Sequence, residues 1–118
     1  MKILIAEPLA PGAVKLLQDQ PGWEVVVSSP KEYAKHLPTA DALIVRSVVT
    51  VDAAVIAKAP KLRVIGRAGV GVDNVDLVAA TKRGVVVANA PESNVVTAAE
   101  HTMAMLLDGF FAGRTVTL

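Results

Sequence analysis

Strand-like apolar runs restart about every 20 residues along this chain, and that pitch limits the fold more than any single residue does. They occupy residues 2–6, 23–27, 42–46, 62–66 and 85–88. Between them the apolar positions switch to helical spacing, and the breaks carry turn chemistry. Residues 12–17 read as a helix broken by Gln20-Pro21-Gly22, and Ser29-Pro30-Lys31-Glu32 reads as a capping box opening a helix that fades at Leu37-Pro38. Residues 50–57 read as a short helix stopped at Ala59-Pro60, and residues 76–83 as a helix with cations in its last turn and Gly84 just beyond. A last helix runs from Thr97-Ala98-Ala99-Glu100 to Leu107. This alternation predicts an α/β fold, a doubly wound sheet of five parallel strands with right-handed crossovers and helices on both faces.

Composition agrees and removes several classes of function. Of 118 residues 53 % are hydrophobic but only 3 % aromatic and 19 % charged, the balance of a Val/Ala/Leu/Ile interior covered by helices. A net charge of +1, with the cations scattered, argues against nucleic acid as a partner. With no cysteine there is no disulfide or thiolate metal site, and two distant histidines do not make a metal centre. The start Met1-Lys2-Ile3-Leu4-Ile5 turns polar at Glu7, too soon for a signal peptide or a membrane span, so the expected home is the cytoplasm.

The chemistry concentrates around Arg67-Ala68-Gly69-Val70-Gly71-Val72-Asp73-Asn74-Val75-Asp76, a glycine-rich bend between a strand and a helix. Gly69 and Gly71 let bare backbone N–H groups approach an anion, and the following helix start adds partial positive charge. Ligands of doubly wound sheets bind beyond the carboxyl ends of the strands, which puts Arg46-Ser47, Arg67 and this loop on one edge. Two guanidinium groups beside a nest of N–H donors would hold a carboxylate or phosphate, although either arginine could equally pair with a local acid. The loop is a poor dinucleotide site. It begins like G-x-G-x-x-G, but Asn74 stands at the third glycine position, Asp73 and Asp76 would repel a pyrophosphate, and the strand before it is the fourth rather than the first. Asp73 and Asn74 read as helix caps. Glu100 and His101 are adjacent in a helix and point about 100° apart, which suits structure better than acid–base catalysis.

Three motifs in order, Val45-Arg46-Ser47, the run from Gly66 to Asp76, and Asn89-Ala90-Pro91 through His101, resemble those of the NAD-dependent D-2-hydroxyacid dehydrogenases, and among them the members acting on a phosphorylated three-carbon acid. The resemblance implies a flavodoxin-like substrate-binding domain over residues 1–107. It places Gly69, Val70 and Gly71 on the substrate carboxylate, Arg46, Ser47 and Arg67 at its phosphate end, and Val70 beside the nicotinamide of NAD. It also implies that the nucleotide-binding domain, with the catalytic Arg, Glu and His, is missing. Residues 108–118 resemble the segment that returns to the substrate domain, as though the cofactor domain had been excised and its flanks joined. On this reading the chain alone carries no catalytic residue, holds no NAD and binds a small anionic substrate weakly. It would expose apolar surface that the second domain covers, which invites a homodimer. The alternatives are a stand-alone flavodoxin-like binding or regulatory module, or a purely structural folding domain.

Overall fold

The computed structural model describes residues 2–9, 11–68, 73–90 and 115–117. Its strands are β1 (Lys2–Ile5), β2 (Glu24–Val27), β3 (Ala42–Val45), β4 (Val64–Ala68), β5 (Val86–Ala90) and β6 (Thr115–Thr117). They form one parallel sheet in the order β2-β1-β3-β4-β5-β6. The five expected strands are therefore present, and a sixth extends the sheet from the stretch the sequence left without an element. The helices are α1 (Pro11–Gln18), a 3-10 helix (Tyr33–Thr39), α2 (Ala53–Ala57) and α3 (Leu77–Lys82).

Both faces are covered, as residues alternating along each strand require. Leu4, Leu43, Ile65 and Val87 form one buried row beneath Leu37 of the 3-10 helix, Ile56 of α2 and Ala80 of α3. Ile3, Ile5, Ile44 and Val64 line the other face against Ala13 and Leu17 of α1, with Trp23 at the margin. The chain moves from β1 outward to β2 and then back past β1 to β3. That reversal sends α1 and the later helices to opposite faces, and makes the gap between β1 and β3 the switch point of the sheet.

Three local readings shift. Strand β4 begins at Val64 rather than Leu62, because Leu62 N–H turns back to Ala59 O at 3.1 Å and pairing with β3 starts at Val64. This carries Arg67 inside the strand. The expected capping box does not form: the helix start at Glu32 has no side-chain cap, and the Glu32 carboxylate meets Lys35 Nζ at 2.9 Å instead. That contact holds the exposed Glu32 carboxyl below its ordinary range. Pro38 lies inside the same helix, where its ring supplies no N–H, and the segment winds as a 3-10 helix. Third, α3 is capped by Asp76, whose carboxylate accepts from Ala79 N at 3.0 Å, and not by Asp73 or Asn74. At its other end Gly84 takes φ +69°, which lets Val85 N–H close on Ala80 O at 2.9 Å.

Candidate functional site

The carboxyl end of the sheet collects the residues with chemical potential. Register places Val45, Arg67 and Asn89 side by side on β3, β4 and β5. Partners in a parallel register share a face, so the apolar row of Leu43, Ile65 and Val87 is followed, two residues on, by one that turns polar toward β5.

Just beyond β3 the chain forms a tight loop, 46–49, and two polar side chains from elsewhere satisfy its backbone. Glu7, following β1 and only 2 % exposed, accepts from Arg46 N at 2.6 Å, Val48 N at 3.0 Å and Val49 N at 3.1 Å. Asn74 Nδ2 donates to Arg46 O and Val49 O, each at 2.7 Å. Asn74 Oδ1 in turn accepts from Arg67 Nε at 2.9 Å. The exposed Ser47 rides at the crest of the loop, and Arg46 Nη1 reaches Pro8 O at 3.4 Å. Segments far apart in sequence are tied here into one hydrogen-bonded unit.

The arrangement assigns the switch-point crevice. In an open sheet the backbone N–H groups there commonly face a ligand. In this chain the donors of residues 46, 48 and 49 are taken by an internal carboxylate. A pyrophosphate at that position would meet Glu7, and β1 is followed by Ala6-Glu7-Pro8 with no glycine turn. The described residues at the switch point thus do not fit a dinucleotide, and the next polar groups along the carboxyl edge stand on β4 and β5. There stand Arg67 and the buried Asn89, 4 % exposed, whose Oδ1 meets no donor among the described residues.

Of the expected site residues, the structure brings the Arg46-Ser47 loop and Arg67 together through Asn74. Gly69, Val70 and Gly71, like Glu100 and His101, lie outside the described residues. Sequence reasoning missed Glu7 and Asn74 as organisers. The only signal for Glu7 was an acid directly after a buried strand. Among the described residues no group of three potential ligands could hold a metal, and no helix is long and apolar enough to cross a membrane.

A parallel doubly wound sheet whose carboxyl edge gathers Arg46, Ser47 and Arg67 describes a class, and comparison narrows it. Residues 3–117 match the model of the D-isomer specific 2-hydroxyacid dehydrogenase catalytic domain, and the chain belongs to that family. It is similar to D-3-phosphoglycerate dehydrogenase of Mycobacterium bovis, 54 % identical over 106 residues that cover 89 % of this chain and 20 % of that protein. Among solved structures it is similar to the NAD-bound 3-phosphoglycerate dehydrogenase of Entamoeba histolytica, with TM-score 0.69 and 35 % identity over 93 % of this chain and 39 % of that one. It is also similar to the NAD-dependent formate dehydrogenase of Staphylococcus aureus in complex with NAD, with TM-score 0.67 and 32 % identity over 91 % of this chain and 36 % of that one. The chain spans about a fifth of the length of the curated relatives it matches.

Proposed function

We propose that this chain is the substrate-binding part of a D-3-phosphoglycerate dehydrogenase. The parent enzyme oxidises 3-phospho-D-glycerate to 3-phosphohydroxypyruvate with NAD, in the cytoplasm, as a step of serine biosynthesis. The observation that carries this reading is the union of the Arg46-Ser47 loop with Arg67 at the carboxyl edge of a sheet whose relatives carry that name. Arg46, Ser47 and Arg67 hold the phosphate end of the acid, and Gly69, Val70 and Gly71 hold its carboxylate through backbone N–H groups. Each charge-assisted bond of this kind contributes about 1.5–3 kcal/mol.

The chain itself is expected to hold no NAD, and the support among the described residues is that Glu7 takes the backbone donors at the switch point. Hydride acceptor and acid–base group both belong to a nucleotide-binding domain that lies outside it, with Val70 facing the nicotinamide once that domain is present. Residues 1–107 form the substrate domain and residues 108–118 return to it. Strand β6, laid beside β5 from Thr115 to Thr117, supports this division.

Titration of the 118-residue chain with 3-phosphoglycerate, followed through its backbone amides, tests the reading. Shifts are expected at residues 46–49, 67 and 69–71. A spectrum unchanged at millimolar ligand would refute it. With NAD and 3-phosphoglycerate the isolated chain is expected to produce no NADH. Light scattering is expected to show a dimer, formed through the surface that the second domain covers in the parent, and a monomer at all concentrations would count against that part.

A further inference from the structure

Asn74 has a role that its sequence neighbours do not explain. Helix capping belongs to Asp76, and the Asn74 amide instead joins three segments. Its Nδ2 donates to Arg46 O and Val49 O, and its Oδ1 accepts from Arg67 Nε. A side-chain amide is planar, with two donors on one atom and the acceptor on the other, so these bonds define its orientation completely. Its backbone is committed as well. Val51 N–H donates to Asn74 O at 2.7 Å and Asp76 N–H to Val51 O at 2.9 Å, on either side of the bridge between Val51 and Val75. The bridge holds the backbone that carries the amide, and the amide itself cannot turn without breaking its three side-chain bonds.

The loop it grips is held from the other side by Glu7, so the loop's donors go to β1 and its acceptors to Asn74. What this frame determines is Arg67. Nε, Cζ and both Nη atoms of a guanidinium are coplanar, and fixing Nε against Asn74 fixes the plane of the whole group. We infer that Asn74 is the positioning residue of the anion site, setting the guanidinium plane of Arg67 relative to the loop that carries Arg46 and Ser47. The two arginines then present one geometry to a phosphorylated acid instead of being ordered by it on binding. This rests on the substrate-side reading proposed above. Asn74 touches no substrate and acts through Arg67.

The test is a double-mutant cycle on the 118-residue chain, with calorimetric titration of 3-phosphoglycerate into wild type, Asn74→Ala, Arg67→Ala and the double variant. Thermal melts establish that each is folded. Asn74→Ala is expected to weaken binding about tenfold, the scale of lost preorganisation, and to add less than about twofold once Arg67 is gone. The Arg67 Nε–H resonance is expected to be sharp in the wild type and to broaden or vanish in Asn74→Ala. If Asn74→Ala does not fold, Asn74→Gln takes its place, with the same groups displaced by one methylene. Weakened binding by folded Asn74→Gln supports the inference, and unchanged binding overturns it. Additive losses in the cycle, or an unchanged Nε–H signal, overturn it too while leaving the substrate-side reading intact. No binding by the wild type overturns that reading and takes this inference with it.

Discussion

The two ends of the sheet are closed in different ways. At the amino end the work is done by partly exposed groups. Lys2 N–H donates to Asp41 Oδ2 at 2.7 Å, Lys2 Nζ meets Thr39 Oγ1 at 2.6 Å, and Arg83 lays its guanidinium on Ile56 O, Ala59 O and Pro60 O at the end of α2. At the carboxyl end stand Glu7 and Asn89, the two buried polar side chains among the described residues. Burying a carboxylate or an amide costs several kcal/mol unless bonds replace the lost water. The amino end shows that this chain can close loops without that cost. Among the described residues buried side-chain polarity is thus confined to one end, the end at which the substrate site is proposed.

The sharpest way to break this comparison is to delete the acid at each end. Glu7→Ala leaves three backbone donors facing a cavity and is expected to lose about 3–5 kcal/mol. Asp41→Ala, whose partner can turn to water, is expected to lose about 1 kcal/mol. Urea denaturation of the two variants compares them, and equal losses would remove the distinction between the ends.

Asn89 sharpens the comparison from the opposite direction. Asn89 is the register partner of Arg67, and its buried Oδ1 meets no donor among the described residues, an arrangement that folding alone does not favour. Asn89→Leu is expected to raise stability by about 1 kcal/mol while weakening 3-phosphoglycerate binding. A variant that is less stable and binds as before would show the amide to be structural. Of similar size, but with no effect on binding, is the ordinary helix cap. Asp52 accepts from Val55 N at 2.9 Å in an exposed setting, and Asp52→Ala is expected to cost about 1 kcal/mol in the same denaturation assay with binding unchanged.

How much of this was legible in sequence follows the range of the forces involved. Runs such as Ala42-Leu43-Ile44-Val45 announce buried strands through their own side chains, and the pitch of the units fixes a parallel sheet. Arg46 and Arg67 could be assigned to one edge because strand ends follow from topology. Asn74 was misread as a cap, since its true partners at residues 46, 49 and 67 are brought to it only by the closed sheet. Glu7 reads in sequence only as the polar end of the first apolar run for the same reason, its three donors lying some 40 residues away in loop 46–49. Strand β6 is only three residues long and takes its place by pairing with β5, which no local pattern in Thr115-Val116-Thr117 reports.

The faintest expected effect lies at Tyr33, which opens the 3-10 helix and packs against the core within reach of the charge of Asp52. Burial of the phenol raises its pKa above the ordinary 10.0, and the charge of Asp52 adds to the rise. Below that value the phenol is neutral in folded and unfolded chains alike, so it contributes its full share of stability. As pH climbs past 10.0 the unfolded chain gives up its proton first, and stability falls until the folded-state pKa is also passed. Tyr33 is the single tyrosine, so phenolate absorbance reports it alone. Asp52→Asn should bring the titration part of the way back, leaving the larger share due to burial. A return to the ordinary value on that substitution would make charge, not burial, the cause, and would show Tyr33 to be packed more loosely than the core it covers.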